Sequence, residues 1–330
     1  MVNIAEKDIV AKWKDKDLNN PKVSVCCISF NQERYIQETI DGFLMQKTSF
    51  PFEVLIHDDA STDRTADIIR EYEGKFPKII KPIYQKENQY SKGNRAILAS
   101  FVYPRAKGKY IALCEGDDYW IDEHKLQMQV DFLENNSDYG MCFSNAEIIN
   151  GNMETQILTP NIKKNKRIST KEIIKQGGMF VPTPSMVFRY EVLNGYPDFC
   201  KSCWVGDYPL QIYNALKGKI YFFSKSFVAY GKNAPGSWTK KNSKKTFLEK
   251  KEGIESELRM LNGLNKLSNY KLNSTFMIRK IEFLGINVLS EKKLVIDNNF
   301  LNYRFYFYLP IHFIKRFLIF IKNRLIKKEI

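Results

Sequence analysis

From residue 23 to residue 114 the chain repeats one device, an unbroken apolar run short enough to be a strand followed by a segment with helical spacing. The run "VSVCCISF" (23–30) is apolar at nearly every position rather than every second one, as expected where both faces of a strand are covered. After it, Ile36, Ile40, Phe43 and Leu44 fall at i, i+4, i+7 and i+8, one stripe of a helix. "FEVLIHDDAST" reads as a second strand running into acids, and a helix is expected to begin near Ser61 or Thr62 with Asp63 in its first turn. "IIKPIY" reads as a strand, "GNRAILASFVY" as a helix and "KYIALC" as another strand. Strands alternating with helices predict βαβ units, hence an α/β fold with a mostly parallel sheet flanked by helices.

In such a sheet ligands gather beyond the carboxyl ends of the strands. The acids lie there: Asp58 and Asp59 end the second strand, and Glu115, Asp117 and Asp118 ("LCEGDDYW") end the fourth. Packing gives no reason for clustered carboxylates, which repel one another and lose hydration when enclosed. The stretch is therefore either a solvated turn before the helix "DEHKLQMQVDFLEN" or a cation site, and the matching acids on the second strand favour the cation site.

The 330 residues, 44% of them hydrophobic, are enough for one large domain or a domain with an appendage. A net charge of +14 calls for an anionic partner such as nucleotide phosphates, a lipid surface or nucleic acid. Much of the excess lies in 232–251 and 300–330, whereas the carboxylates gather in the first half. The opening "MVNIAEKDIVAKWKDKDLNN" lacks the pattern of a signal peptide, and "FYFYLPIHFI" is shorter than the roughly 20 apolar residues of a membrane span. A cytoplasmic location is expected, and the six cysteines then read as reduced thiols in the core.

Beyond about residue 145 the pattern loosens. "PTPSMVFRYEVL" and "GKIYFFSKSFVAY" read as strands, with the helix "GDYPLQIYNALKG" between them starting at Asp207. If 311–328 is helical, Ile314, Phe317, Leu318, Ile321 and Leu325 make one stripe flanked by lysines and arginines. Such a helix suits an anionic membrane surface, or else packs on its own domain.

Taken in order, "VSVCCISFNQERYIQETI", "FEVLIHDDASTDRTADIIREY", "GNRAILASFVYPRAKGKYIALCEGDDYW", "PTPSMVFRYEVL", "VGDYPLQIYNALKGKIYFF" and "YGKNAPGSWT" resemble the family 2 glycosyltransferases of bacterial polysaccharide synthesis. The match covers roughly 21–240. The resemblance implies a GT-A-like fold over 1–240, with a C-terminal helical extension over 241–330 that ends in the basic tail. It also implies a nucleotide-sugar donor, a glycan or lipid-linked acceptor, a divalent cation (Mg2+ or Mn2+) and inversion at the anomeric carbon. By position, Asp58 or Asp59 would contact the nucleoside, and Glu115-Gly116-Asp117 would stand for the family's DxD motif. Asp117 would be the direct cation ligand with Glu115 or Asp118 assisting, and Asp207 would be the catalytic base. Asn31 would line the rim of the nucleotide pocket or serve as a turn residue, and Trp120 and Trp238 suit stacking on a sugar or filling of the core. This chain departs from the family in two places: Glu115 replaces the first Asp, and Gly231-Lys232-Asn233 lacks the usual arginine and histidine ahead of "GSW". A peripheral position on the inner face of the cell membrane would join a cytoplasmic donor to a lipid-linked acceptor.

Other readings are weaker. A nucleotidyltransferase would open with a glycine-rich phosphate loop, and "SFNQERYIQ" has no glycine. Nucleic-acid binding would leave both acid groups without a purpose. A catalytically inactive interaction protein with the same fold is separated from an enzyme by metal-dependent donor hydrolysis.

Overall fold

The computed structural model describes residues 4–14, 17–149, 155–157, 162–231 and 247–290. Two compact units divide the chain, Met1–Leu272 and Asn273–Ile330. The helices of the first unit are α1 (Glu6–Val10), α2 (Ile36–Leu44), α3 (Thr65–Lys75), α4 (Lys125–Asn135), α5 (Thr170–Gln176), α6 (Asp198–Lys201), α7 (Asp207–Lys217) and α8 (Phe247–Leu267). Helix α9 (Asn273–Ser290) belongs to the second unit. The strands are β1 (Val23–Ser29), β2 (Phe52–Asp58), β3 (Ile80–Tyr84), β4 (Tyr110–Glu115), β5 (Tyr119–Trp120), β6 (Tyr139–Ile149), β7 (Thr155–Ile157), β8 (Lys166–Ile168), β9 (Val187–Arg189) and β10 (Lys219–Gly231).

They form one mixed sheet in the order β3-β2-β1-β4-β9-β6-β10-β5, with β7 on β6 and β8 on β10. Strands β3, β2, β1 and β4 are all parallel, as their helical crossovers require. Val23, Val25 and Cys27 of β1 join Ile36, Ile40 and Phe43 of α2 and Ile69 and Tyr72 of α3 in the main apolar cluster. Ser24 and Cys26, on the opposite face, are also buried, which explains why β1 shows no alternation. All six cysteines are free and buried.

The sheet turns antiparallel at β9, which pairs with β4 on one side and β6 on the other. The expected strand "PTPSMVFRYEVL" shrinks to these three residues between 3-10 turns at Thr183–Ser185 and Tyr190–Leu193. Pro182 and Pro184 have no N–H for a ladder, so pairing starts only after them. The helix expected over "GNRAILASFVY" is a π turn at Leu98–Val102 and a 3-10 turn at Tyr103–Arg105, because Pro104 cannot continue an α-helix. Helix α3 starts at Thr65, later than expected, since Ser61 and Thr62 are bonded to Asp58 and Asn31 instead. None of the described helices is long and apolar enough to cross a membrane.

Register brings the acids level. Ile28 of β1 lies beside Glu115 of β4, and Ser29 of β1 beside Asp58 of β2. The two acid groups thus flank the end of β1, two strand spacings or roughly 10 Å apart.

Candidate active site

The acidic turn is held by backbone bonds, by the Thr39 hydroxyl and by one carboxylate oxygen of Asp118. The Gly116 N–H donates to Ile28 O at 3.0 Å, and the Asp118 N–H donates to Glu115 O at 3.1 Å. The Thr39 hydroxyl of α2 lies 2.7 Å from Asp118 O and 3.1 Å from Gly116 O. A Cβ on Gly116 would stand 2.3 Å from Gln32 Oε1, so a larger residue here would have to displace the Gln32 side chain.

So held, Glu115, Asp117 and Asp118 each offer an oxygen within 4.8 Å of the other two. Asp118 is 2% exposed; its Oδ1 accepts the Gly231 N–H at 2.9 Å, and its Oδ2 has no partner among the described residues. Burial, then the charges of Asp117 and Asp207, push the Glu115 carboxyl up to about 8. Burial, with Asp117 and Glu115, pushes Asp118 well above the carboxylate range against the pull of the Gly231 N–H. Three mutually repelling carboxyls and one bare buried oxygen make an all-oxygen donor set that fits a hard divalent cation.

Asp207 opens α7 within electrostatic reach of this turn, since its charge is among those raising Glu115. Its Oδ1 accepts the N–H of Tyr208 at 2.7 Å. Burial raises its carboxyl, and the Tyr208 N–H and the Thr183 hydroxyl pull it back. A carboxylate raised in this way is a stronger base than a free one. The Tyr230 phenol faces the same group: burial first, then Asp118, Glu115, Asp117 and Asp207, hold its proton on.

The acids of β2 do a different job in the structure. Asp58 accepts the Ser61 hydroxyl at 2.5 Å and the Ser61 N–H at 3.1 Å. Asp59 accepts the N–H groups of Gln89 and Tyr90 at 2.8 and 3.0 Å, which folds the segment after β3 over the sheet edge. Asn31 has φ 54 and bridges the ends of β1 and β2: its N–H donates to Ser61 Oγ at 3.0 Å, and its Oδ1 accepts the Thr62 N–H at 2.8 Å. Asn tolerates this left-handed backbone better than most residues.

Trp238 lies outside the described residues, as does the tail over 300–330. Trp120 is buried in the core, edge-on to Phe43 at 4.8 Å between centroids, and its indole N–H donates to Pro184 O at 3.0 Å. Arg95 stacks between the rings of Tyr90 and Trp204, 4.1 and 5.0 Å from their centroids. Lys92 pairs with Glu87. Sequence reasoning missed Thr39, Thr183 and the Gly231 amide. Thr39 did leave a signal, a hydroxyl set in the apolar stripe of α2 between Ile36 and Ile40.

A mixed sheet flanked by helices, with acids gathered at the carboxyl ends of its parallel strands, defines a GT-A-like protein. Residues 24–196 match the model described as glycosyl transferase family 2, and the chain belongs to that family. An uncharacterized protein of Mycobacterium tuberculosis is 35% identical over 218 residues, covering 66% of this chain and 60% of the relative. The Escherichia coli UDP-Glc:alpha-D-GlcNAc-diphosphoundecaprenol beta-1,3-glucosyltransferase WfgD is 34% identical over 130 residues, 39% of this chain and 47% of that protein. The matched part of the chain thus spans 60% and 47% of the lengths of these two relatives. Among solved structures, S. aureus TarS 1–349 superposes with a TM-score of 0.59 at 18% identity over 83% of this chain and 76% of that one, a likeness of fold.

Proposed function

We propose that this protein is an inverting, metal-dependent glycosyltransferase. In this reading it moves a sugar from a nucleotide-sugar donor to a hydroxyl of a glycan or lipid-linked acceptor in surface polysaccharide synthesis. The observation that carries the reading is the convergence at one sheet end of a carboxylate trio with a bare buried oxygen and a separate raised carboxylate, Asp207. The likeness to WfgD, named as a glucosyltransferase from UDP-Glc to a diphosphoundecaprenol-linked sugar, supports the substrate classes.

Asp117 and Asp118 would hold Mg2+ or Mn2+, which when bound neutralises charge on the departing nucleoside diphosphate. Glu115 would meet the donor's ribose, or that cation through water. Asp58 or Asp59 receives the nucleoside: each carboxylate keeps lone pairs beyond those its protein donors occupy. Asn31 shapes the rim beside them, and Trp238 stacks on a sugar face. Asp207 removes the proton of the acceptor hydroxyl as its oxygen bonds to the anomeric carbon, and the bond from that carbon to the diphosphate breaks on the opposite face. One displacement inverts the configuration.

Residues 1–240 would act as the catalytic region, and 241–330 as a helical region whose basic tail rests on the cytoplasmic face of the membrane. The test is a thermal-shift screen of nucleotide sugars with and without manganese, followed by donor hydrolysis on the hits. A manganese-dependent rise with one donor and its hydrolysis are expected. Donor binding without any turnover would instead favour an inactive interaction protein.

A further inference from the structure

The opposite end of the sheet carries a second concentration of charge. Lys22 precedes β1, Lys107 and Lys109 precede β4, and Arg189 ends the antiparallel β9, so all four gather where the acids do not. They line a groove of about 600 Å³ whose walls include Phe50 and Tyr190. β1 separates this groove from the acidic turn by its seven residues, roughly 20 Å.

The groove is built on buried structure. Ser24 Oγ donates to Glu53 Oε1 at 2.6 Å, and this pair receives the N–H groups of Lys107 at 2.8 Å (Glu53 Oε1) and Gly108 at 2.8 Å (Ser24 Oγ). A Cβ on Gly108 would come within 2.3 Å of the Ser24 nitrogen, so the backbone that presents the two lysines is locked against β1. Arg189 is fixed as well, donating to the carbonyls of Tyr139 and Leu133 at 2.9 and 2.6 Å.

Charge here is not balanced. Lys22 and Lys109 share one carboxylate, Glu134, at 3.5 and 2.8 Å. Lys107 has no carboxylate partner among the described residues, and the wall adds one acid, Glu191. Four cations therefore stand against three acids, Glu191 in the wall, Glu134 beside two of the lysines and the buried Glu53 beneath the Lys107 backbone, across a concave surface that a flat bilayer cannot enter. The Asn194 amide on the same surface supplies a donor and an acceptor for hydroxyls, while the Asn20 amide nitrogen donates to Asp17 at 2.6 Å.

We infer that this groove is a non-catalytic binding site for an acidic oligosaccharide, a chain whose sugar carboxylates meet Lys107 and its neighbours while a ring face lies on the half-buried Tyr190. It goes beyond the transferase reading and does not depend on it, because binding is measured without donor or metal.

The experiment is calorimetry of the full chain with a short oligogalacturonate, with maltohexaose, inorganic pyrophosphate and single-stranded RNA as separate arms. Oligogalacturonate should bind in a salt-sensitive way, and maltohexaose should not. Lys107→Glu should weaken binding about tenfold, the effect of reversing one partly exposed charge, while Lys107→Arg keeps it. Lys107→Gln, which introduces no new acid, should lose less than Lys107→Glu. Unchanged affinity in Lys107→Glu would place the binding elsewhere on the basic surface and overturn the inference. Equal affinity for pyrophosphate would reduce the groove to a phosphate site, and tighter binding of RNA would reject the glycan class.

Discussion

Lys125, in the first turn of α4, should be a source of instability that a neutral side chain relieves. The residue is 0% exposed, its Nζ has no hydrogen-bond partner among the described residues, and the amine lies 4.0 Å from the centroid of the Trp120 ring. Burial lowers its pKa from 10.5 to about 7, against an upward pull from Cys114 and Cys142. Between those two values the unfolded chain holds a proton that the folded chain releases, so stability rises with pH across the window and the penalty is complete below about 7. At about 1.4 kcal/mol per pH unit the penalty approaches about 5 kcal/mol, and attraction to the ring, worth about 2 kcal/mol for a desolvated cation, leaves about 3. Lys125→Met keeps most of the stem and should stabilise the protein by about 2 kcal/mol near pH 6, once imperfect repacking is allowed for. Urea unfolding of both proteins at about pH 6, 8 and 10 measures the difference, which should shrink as pH rises and the wild type loses its charge. A variant less stable than wild type by the same amount at every pH would refute the reasoning. It would mean that the charge of Lys125 is fully compensated in the fold.

Three further outcomes bear on the site and its surroundings. Asp117→Asn should abolish manganese-dependent donor binding while the fold survives; calorimetry showing unchanged donor affinity in manganese would make Asp117 a turn residue only. Asp207→Asn should cut turnover by about 10²–10⁴ with donor affinity within a few-fold, because an amide has the same shape but cannot take the proton. Near-normal transfer by that variant would leave Asp207 as a helix-opening residue alone, and product of retained configuration would reject a single displacement. Deleting 300–330, which removes seven Lys and Arg against one Glu, should release the protein from anionic vesicles without loss of donor binding; equal sedimentation of both forms would point to a tail packed on the protein.

What the sequence disclosed and what it hid follow the distance over which each feature is determined. The parallel strands β1, β2 and β4 were legible because burial on both faces leaves an apolar run, and the helical crossovers then put their acid-bearing ends on one side whatever the register. The antiparallel β9 was hard to bound because three residues between two 3-10 turns leave no periodicity to read. The contacts that hold the acidic turn were invisible for a different reason. Thr39 reaches Asp118 across 79 positions of sequence and Gly231 reaches it across 113, and no local pattern encodes either bond. Yet these distant bonds decide what the carboxylates can do. Because Thr39 fixes the turn through backbone carbonyls and Gly231 occupies only one oxygen of Asp118, the other oxygen stays bare beside two acids. The turn is anchored from β1 and α2 through its backbone and from β10 through a single carboxylate oxygen of Asp118, which leaves the second oxygen for a ligand, and the raised Glu115 and Asp118 carboxyls record the repulsion of three acids gathered there.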